Sequence, residues 1–516
     1  MTDNHSSSNI KKGTIITYIT QFLNIAISLF YVPIMLGVLG QDEYGLYALV
    51  QSIISYFLIS DMGIGITATR YNAKYIAEND IDGQRKINAM FLELYVGIAV
   101  ICSIIGLVVY QYIPQIYHDY SLESIELIRE LFVIAMVNLV LTLVFKIFNA
   151  IINAYEKFVF AKTLILIQTV IGPICMLAVL YAGYRSVGML VVTTVITAVL
   201  GLIQMFYCIK KLSVKFKFGG FNKPLFITIM SFTTFVFLNS IAHQLFANSD
   251  KIVVSILLSE ASIAVYAIVI QFQIYFYNFA NVLSGFFLPR FTKMVKGLRE
   301  VSPELMTDIV RIGRIQIIIA GLILGVFVAM GNPFIIRWVG TDYHMVYYLT
   351  IFIFVAEYIT SCQSMFNSLM QAMNLHKIRS IIGLISAIFK IVLTIIFVRF
   401  WGLWGCAIAY FIASMIRFIA YNIYYKRVGI DVNFFWKNVS KPLCSISAII
   451  IVLSFAFGVI QYYFAVNTYI LILALMALYA ILYCVLTWMF CLNDYERELF
   501  GNLLKRFLKL IPYGRR

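Results

Sequence analysis

Eight ionisable side chains stand inside or close to otherwise apolar stretches of this sequence: Asp61, Glu93, Lys146, Asp250, Lys251, Glu357, Lys390 and Arg417. At the centre of a membrane-crossing helix each such group costs at least ~2.5–3.5 kcal/mol, so it persists where it is paired, wetted or used. Counting depth at ~1.5 Å per residue puts Glu357 and Lys390 both near mid-membrane on consecutive helices. The same count puts Glu93 and Lys146 both about 10 Å from one membrane edge, again on consecutive helices. Static ion pairing explains each couple, and service in a wet interior site is the alternative. Lys251 and Arg417 have no comparable carboxylate, because Asp250 directly precedes Lys251 and adjacent helical residues do not face each other. In "SYFLISDMGIGITATRY" (Ser55–Tyr71) Asp61 lies ahead of Gly63, Gly65 and Arg70. It either caps backbone donors where the glycines loosen the helix, or titrates or binds a cation and so biases one conformation. Arg70 reads as a headgroup anchor, with Arg290 as its counterpart later in the chain.

Other chemistries find little support. The eight cysteines (102, 175, 208, 362, 406, 444, 484 and 491) lie in or at the ends of apolar runs and form no CxxC pattern. Disulfides and a metal site are therefore not expected, and no metal or organic cofactor is implied. No Walker A pattern occurs. His118 with Asp119, and Asp342 with His344, sit on loops near 112–126 and 332–345, short for the catalytic loops of a membrane glycan polymerase or ligase.

The elements that position these residues follow from composition. Of 516 residues 62% are hydrophobic and only 12% charged, with a mean hydropathy of +0.91; soluble domains carry about 25% charged residues. Apolar runs of about 20–25 residues recur, each enough to cross a ~30 Å hydrocarbon core. An all-α polytopic membrane protein is expected, with about fourteen spans. They lie near 13–38, 44–70, 87–112, 127–153, 158–183, 187–209, 224–258, 261–288, 312–331, 346–372, 380–399, 403–425, 443–462 and 467–491. Counting alternate loops and both termini on one side collects 31 of the 39 Lys and Arg residues, against Arg129, Arg185, Arg337 and Arg399 on the other. That bias predicts cytoplasmic termini. The net charge of +15 then belongs to a face that suits anionic lipids, and it does not argue for nucleic acid.

Two segments recur about 217–220 residues apart: "YALVQSIISYF" from Tyr47 with "YAIVIQFQIYF" from Tyr266, and "FNAIINA" from Phe148 with "FNSLMQA" from Phe366. An even number of spans separates the copies, which predicts a parallel repeat with a substrate site between two halves. The expected organisation is a six-helix bundle over 1–217, its pseudo-twofold-related copy over 218–430, and two extra helices with a basic tail over 431–516. Polar stripes at helical spacing support a wet interior. They run Thr17-Gln21-Asn24-Ser28 in the first span and Asn138-Thr142-Lys146-Asn149-Asn153 in the fourth. The seventh span carries Asn239-His243-Asp250 and Ser240-Gln244-Asn248-Lys251, and the eighth Gln271-Tyr275-Asn278-Asn281. The tenth carries Glu357, Ser361, Ser364 and Ser368, beside Asn367. Interhelical hydrogen bonding is the plainer use of any single one.

The stretch "LGQDEYGLYALVQSIISYFLISDMGIGITATRYNAKY" (Leu39–Tyr75) resembles the second-span signature of the Wzx-type polysaccharide (O-antigen) flippases. These belong to the multidrug/oligosaccharidyl-lipid/polysaccharide exporter superfamily. "NSDKIVVSILLSEASIAVYAIV" (Asn248–Val269) resembles their second-half pattern, although Ala264-Val265-Tyr266 stands where a glycine-containing turn is usual, and Asp61 has only Asn281 near its repeat position. The resemblance implies a flippase in the bacterial cytoplasmic membrane that moves an undecaprenyl-diphosphate-linked oligosaccharide to the outer leaflet by alternating access. O-antigen, capsule or exopolysaccharide assembly would follow, with other polysaccharide-assembly proteins as further partners.

Under that implication a diphosphate needs cations, and Lys146, Lys251, Lys390 and Arg417 are the candidates. Gln21, Asn24, Asn149, His243, Asn248, Asn278 and Asn367 are the candidate cavity lining. Asp61, Asp250 and Glu357 are the candidate coupling groups for H+ or Na+, with the membrane potential as another drive. Gly172-Pro173 and Pro33 could supply bends. The alternatives are a multidrug or cation antiporter of the same fold, a peptidoglycan-precursor flippase, and the glycan polymerase or ligase weighed above. Four basic groups set against Asp61, Glu93, Asp250 and Glu357 make a poor cation-pump cavity.

Overall fold

The computed structural model describes the backbone of residues 2–219, 223–281, 291, 294–295, 301–373, 375–464, 466 and 468–510. Arg290 lies outside the described residues. Among those described the chain is helical throughout, with no strand. In hydrocarbon only a helix satisfies every backbone donor and acceptor within its own segment, which is why a sequence this apolar folds this way.

Eleven described segments are long and apolar enough to cross a membrane. Two of them, Ile19–Ala77 at 59 residues and Phe158–Lys211 at 54, would measure about 80–90 Å if straight, far more than one crossing needs. Each is broken. The first bends at Gly40, whose φ of 80° and ψ of 174° fall outside the helical region, and again at Met62 and Gly63, both left-handed. The second breaks at Gly183 and Arg185, also at positive φ. Each therefore holds two crossings, and with Lys223–Leu257 the expected fourteen are met.

By contact the chain forms two compact units, residues 1–267 with 383–399, and residues 268–382 with 400–516. These boundaries fall elsewhere than the repeat boundaries expected at 217/218 and 430/431.

The first unit contains α1 (Thr2–Phe57), α2 (Ile64–Ala77), α3 (Ile81–Ile116), α4 (Leu122–Ala154), α5 (Phe158–Val179), α6 (Arg185–Phe206) and α7 (Lys223–Leu257). α4 packs against α6, α3, α1 and α2, and α1 packs against α5 and α7. Their shared core includes Ile64, Ala68, Phe91, Tyr95, Ile147, Ile151 and Cys208. Helix starts are set by side-chain caps that satisfy orphan N–H groups: Asp80 accepts from Gly83 N at 2.8 Å and Ser121 from Ser124 N at 3.1 Å.

The second unit takes most of α8 (Glu260–Ala280) and α9 (Pro303–Val339), α10 (His344–Ser361), α11 (Ser364–Ala372), α13 (Leu403–Arg427), α14 (Val432–Tyr463), α15 (Tyr469–Phe490) and α16 (Asp494–Leu510). α12 (His376–Trp401) gives its first seven residues to this unit and most of the rest to the other. α9 is the hub, packing on α10, α14 and α15. The two C-terminal spans, read from sequence as lying outside the repeat, pack within this unit. Arg314 of α9 fixes α16 by a two-pronged bond to the buried Glu496, 2.5 and 2.9 Å, and donates to the carbonyls of Asn438 and Cys491, both at 3.1 Å.

Candidate functional site

Three polar clusters gather the ionisable groups. In the first unit α1 ends at Phe57, a short 3-10 turn runs over Leu58–Asp61, and α2 begins at Ile64. This turn aims Asp61 at α3 and α4: its carboxylate accepts the Tyr95 hydroxyl at 2.7 Å and pairs with Lys146 Nζ at 3.1 Å. Of the two roles weighed for Asp61, the cap is not the one adopted, since its carboxylate bonds to side chains of other helices. Lys146 was expected to meet Glu93, but Glu93 lies on an exposed face of α3. The Lys146–Asp61 pair keeps some solvent contact, with side chains 35% and 20% exposed. One turn further along α4, Asn149 accepts from Asn153 at 2.7 Å.

The second cluster, also in the first unit, is dry. Asp250 of α7 and Lys390 of α12 form an ion pair at 2.7 Å, both 0% exposed. Each member of the pair has further hydrogen-bond partners. Tyr266 donates to one carboxylate oxygen at 2.5 Å and Thr394 to the other at 3.1 Å, while Lys390 also donates to the Phe246 carbonyl at 2.5 Å. Lys390 and Thr394 are one helical turn apart, so a single face of α12 supplies both. The expected Lys390–Glu357 pair is thus corrected. As a substrate cation Lys390 is also displaced, because a fully buried ammonium offers no hydrogen to a solute in this state. Beside this pair Lys251 is half-buried and has no carboxylate partner among the described residues. Asn248 is half-buried, its carbonyl accepting from Ser52 at 3.4 Å, and His243 is exposed.

The third cluster belongs to the second unit. Glu357 of α10 is buried and accepts from Tyr410 of α13 and, at 3.3 Å, from Gln273 of α8. Nearby stands a residue that sequence reasoning counted as a loop charge. Arg379, three residues into α12, donates to Asn367 Oδ1 at 2.7 Å and to the Tyr425 hydroxyl at 3.2 Å, and lies 4.6 Å over the Tyr421 ring. Its guanidinium has no carboxylate partner among the described residues. The exposed Tyr277 of α8 feels the charges of Glu357, Arg379 and Arg417 together. Amide and indole groups border this region: Gln363 and Trp436 both donate to Asn422 Oδ1, at 2.7 and 2.8 Å. The signal that could have found Arg379 was its position four residues before Gly383, on the helical face that continues through Ala387 and Lys390.

Of the other expected lining residues, Gln21 and Asn278 are half-buried and Asn24 is exposed, accepting from Ser28 at 3.4 Å. No group of three or more His, Cys, Asp or Glu residues that could hold a metal occurs among the described residues.

Chemically, the third cluster suits an anion. The Arg379 guanidinium, held by an amide oxygen and a phenol and with no carboxylate partner among the described residues, is the kind of donor a phosphate group requires.

Comparison with known proteins agrees with this architecture. Residues 10–295 match the family described as Polysaccharide biosynthesis protein. The uncharacterized membrane protein EpsK of Bacillus subtilis (strain 168) is 22% identical over 506 residues, 94% of this chain and 96% of its own. The fold is similar to that of the lipid II flippase MurJ in an inward closed conformation, with TM-score 0.72 and 17% identity, covering 95% of this chain and 99% of that one. It is also similar to an inward-facing multidrug resistance MATE family transporter of the MOP superfamily, with TM-score 0.61 and 16% identity, covering 79% and 98%.

Proposed function

Because the chain belongs to the polysaccharide biosynthesis protein family, we propose that it is a flippase that carries a lipid-linked oligosaccharide across a bacterial cytoplasmic membrane. The cargo is a glycan on an undecaprenyl diphosphate, delivered from the cytoplasmic to the outer leaflet by alternating exposure of the binding groups. The observation that carries the reading is Arg379, a guanidinium held by Asn367 and Tyr425 with no carboxylate partner among the described residues. A diphosphate needs at least two such donors, and Asn367, Gln363 and Trp436 offer the hydrogen-bonding and ring surfaces that a sugar uses.

Lys251 is the further candidate cation. Lys146 serves when its bond to Asp61 opens, and Lys390 holds α12 to α7. The basic face lies in the cytoplasm, against anionic lipids, with both termini there. An ion gradient or the membrane potential supplies the energy, and Asp61 and Glu357 are the carboxylates placed to respond.

The binding test uses a water-soluble short-chain prenyl diphosphate sugar, titrated against purified protein. Arg379→Met should weaken its Kd about 10- to 100-fold, as expected for a charged hydrogen bond of ~1.5–3 kcal/mol. Equal affinity in the two proteins refutes the assignment.

A further inference from the structure

One buried group in the first unit is used by nothing described above. Asn88 of α3 is 1% exposed, yet neither its Nδ2 nor its Oδ1 has a hydrogen-bond partner. Other helical asparagines settle their amides locally: Asn72, Asn153 and Asn438 each donate to the carbonyl four residues back, at 3.0, 2.9 and 2.8 Å. Asn88 does not. An amide left with both donor and acceptor unmade is costly, and native interiors pair such groups with protein or with bound water. A second orphan lies one turn earlier on the same helix, the buried Nε of Arg85.

The position of Asn88 gives this meaning. Gln84, Asn88, Phe91 and Tyr95 recur at intervals of four, three and four, so they share one face of α3. About 6 Å along the axis on one side, Gln84 bonds to Asn72 at 3.4 Å and to Tyr155 at 3.0 Å. About 10 Å on the other side, Tyr95 donates to Asp61, which holds Lys146. Asn88 thus sits in the gap between two polar clusters, flanked in sequence by the buried Ile87 and Ala89 and one turn from Phe91.

We infer that Asn88 anchors a buried water site, which joins these two clusters into a hydrated track along the interface of α2, α3 and α4. Water is the ligand that fits: it is small, it both donates and accepts, and apolar neighbours leave no partner for a larger solute. The consequence rests on the transport reading, the site itself does not. When the Asp61–Lys146 pair parts, water moving along this track can take up the freed hydrogen bonds, so the pair opens without stranding a bare charge.

The test is X-ray radiolytic hydroxyl-radical footprinting of the purified full chain, with mass-spectrometric reading of Phe91, which shares the Asn88 face. This residue is 0% exposed and should be inert unless water lies against it. The expected result is rapid oxidation at Phe91 in the wild type, retained in Asn88→Asp and reduced at least fivefold in Asn88→Leu. Absence of oxidation in the wild type overturns the proposal, as does equal oxidation in Asn88→Leu. Should Asn88→Leu fail to fold, the wild-type rate and its retention in Asn88→Asp decide the matter alone. No glycan is present in the measurement, so its failure is separable from failure of the flippase reading.

Discussion

Replacing Lys390 by Met should damage folding rather than substrate binding. The substitution leaves the Asp250 carboxylate at 0% exposure with only the Tyr266 and Thr394 hydroxyls for company. Removing one partner of a buried ion pair costs ~3–5 kcal/mol, because the surviving charge has neither water nor a counter-ion. At 1.4 kcal/mol per decade this is roughly a 100- to 4,000-fold loss in the ratio of folded to unfolded protein. Asp250→Asn should cost a similar amount, by stranding the ammonium. The double variant leaves no charge, and the amide can accept from one hydroxyl through its oxygen and donate to the other through its NH2. It should return to within about 1 kcal/mol of the wild type, giving a coupling of at least ~5 kcal/mol. The assay is equilibrium unfolding in micelles, by steric trapping or SDS titration, for all four proteins, with prenyl diphosphate sugar binding measured in parallel. A Lys390→Met protein as stable as the wild type but unable to bind the sugar lipid would refute this reasoning and restore Lys390 as a substrate cation. Additive single effects would refute the pair.

Three smaller predictions accompany it. Glu496→Gln breaks the two-pronged bond from Arg314 to a fully buried carboxylate, so it should lose about 3 kcal/mol, read as a lower Tm and faster proteolysis within residues 491–502. The partly solvated Asp61–Lys146 pair should contribute only about 1 kcal/mol, so Lys146→Met should unfold almost like the wild type while slowing transport; unchanged transport would make the pair dispensable. Gly45 packs against the Glu260 carbonyl so closely that a Cβ would overlap it, and that obstacle is backbone. Gly45→Val should therefore cost about 1–3 kcal/mol, and a Tm equal to the wild type would mean that α1 and α8 do not meet there.

Much of this was legible in the residues. The apolar runs mark where helices cross; the caps at Asp80 and Ser121 were not singled out, although a capping oxygen works through bonds only three residues long. The ion pairs were harder. Depth along a helix can be counted, but which helix lies alongside is a property of packing. Lys390 and Glu357 share a depth, yet α12 turns Lys390 and Thr394 toward Asp250 of α7 while Glu357 is bonded by α8 and α13. The cap weighed for Asp61 gives way for a local reason: the 3-10 turn before Met62 aims its side chain across to α4. Arg379 was missed because a basic residue beside a short connection looks like an ordinary loop charge. Only its bonds to Asn367 and Tyr425 reveal it as held in place.

The most direct measurement is leaflet transfer in proteoliposomes carrying a fluorescent undecaprenyl-diphosphate oligosaccharide, with dithionite quenching of the outer leaflet. Under an imposed ion gradient or membrane potential, the wild type should move label between leaflets, and Arg379→Met should do so at least tenfold more slowly at equal reconstitution. Transfer at the empty-liposome rate by the wild type, or undiminished transfer by Arg379→Met, would contradict the account.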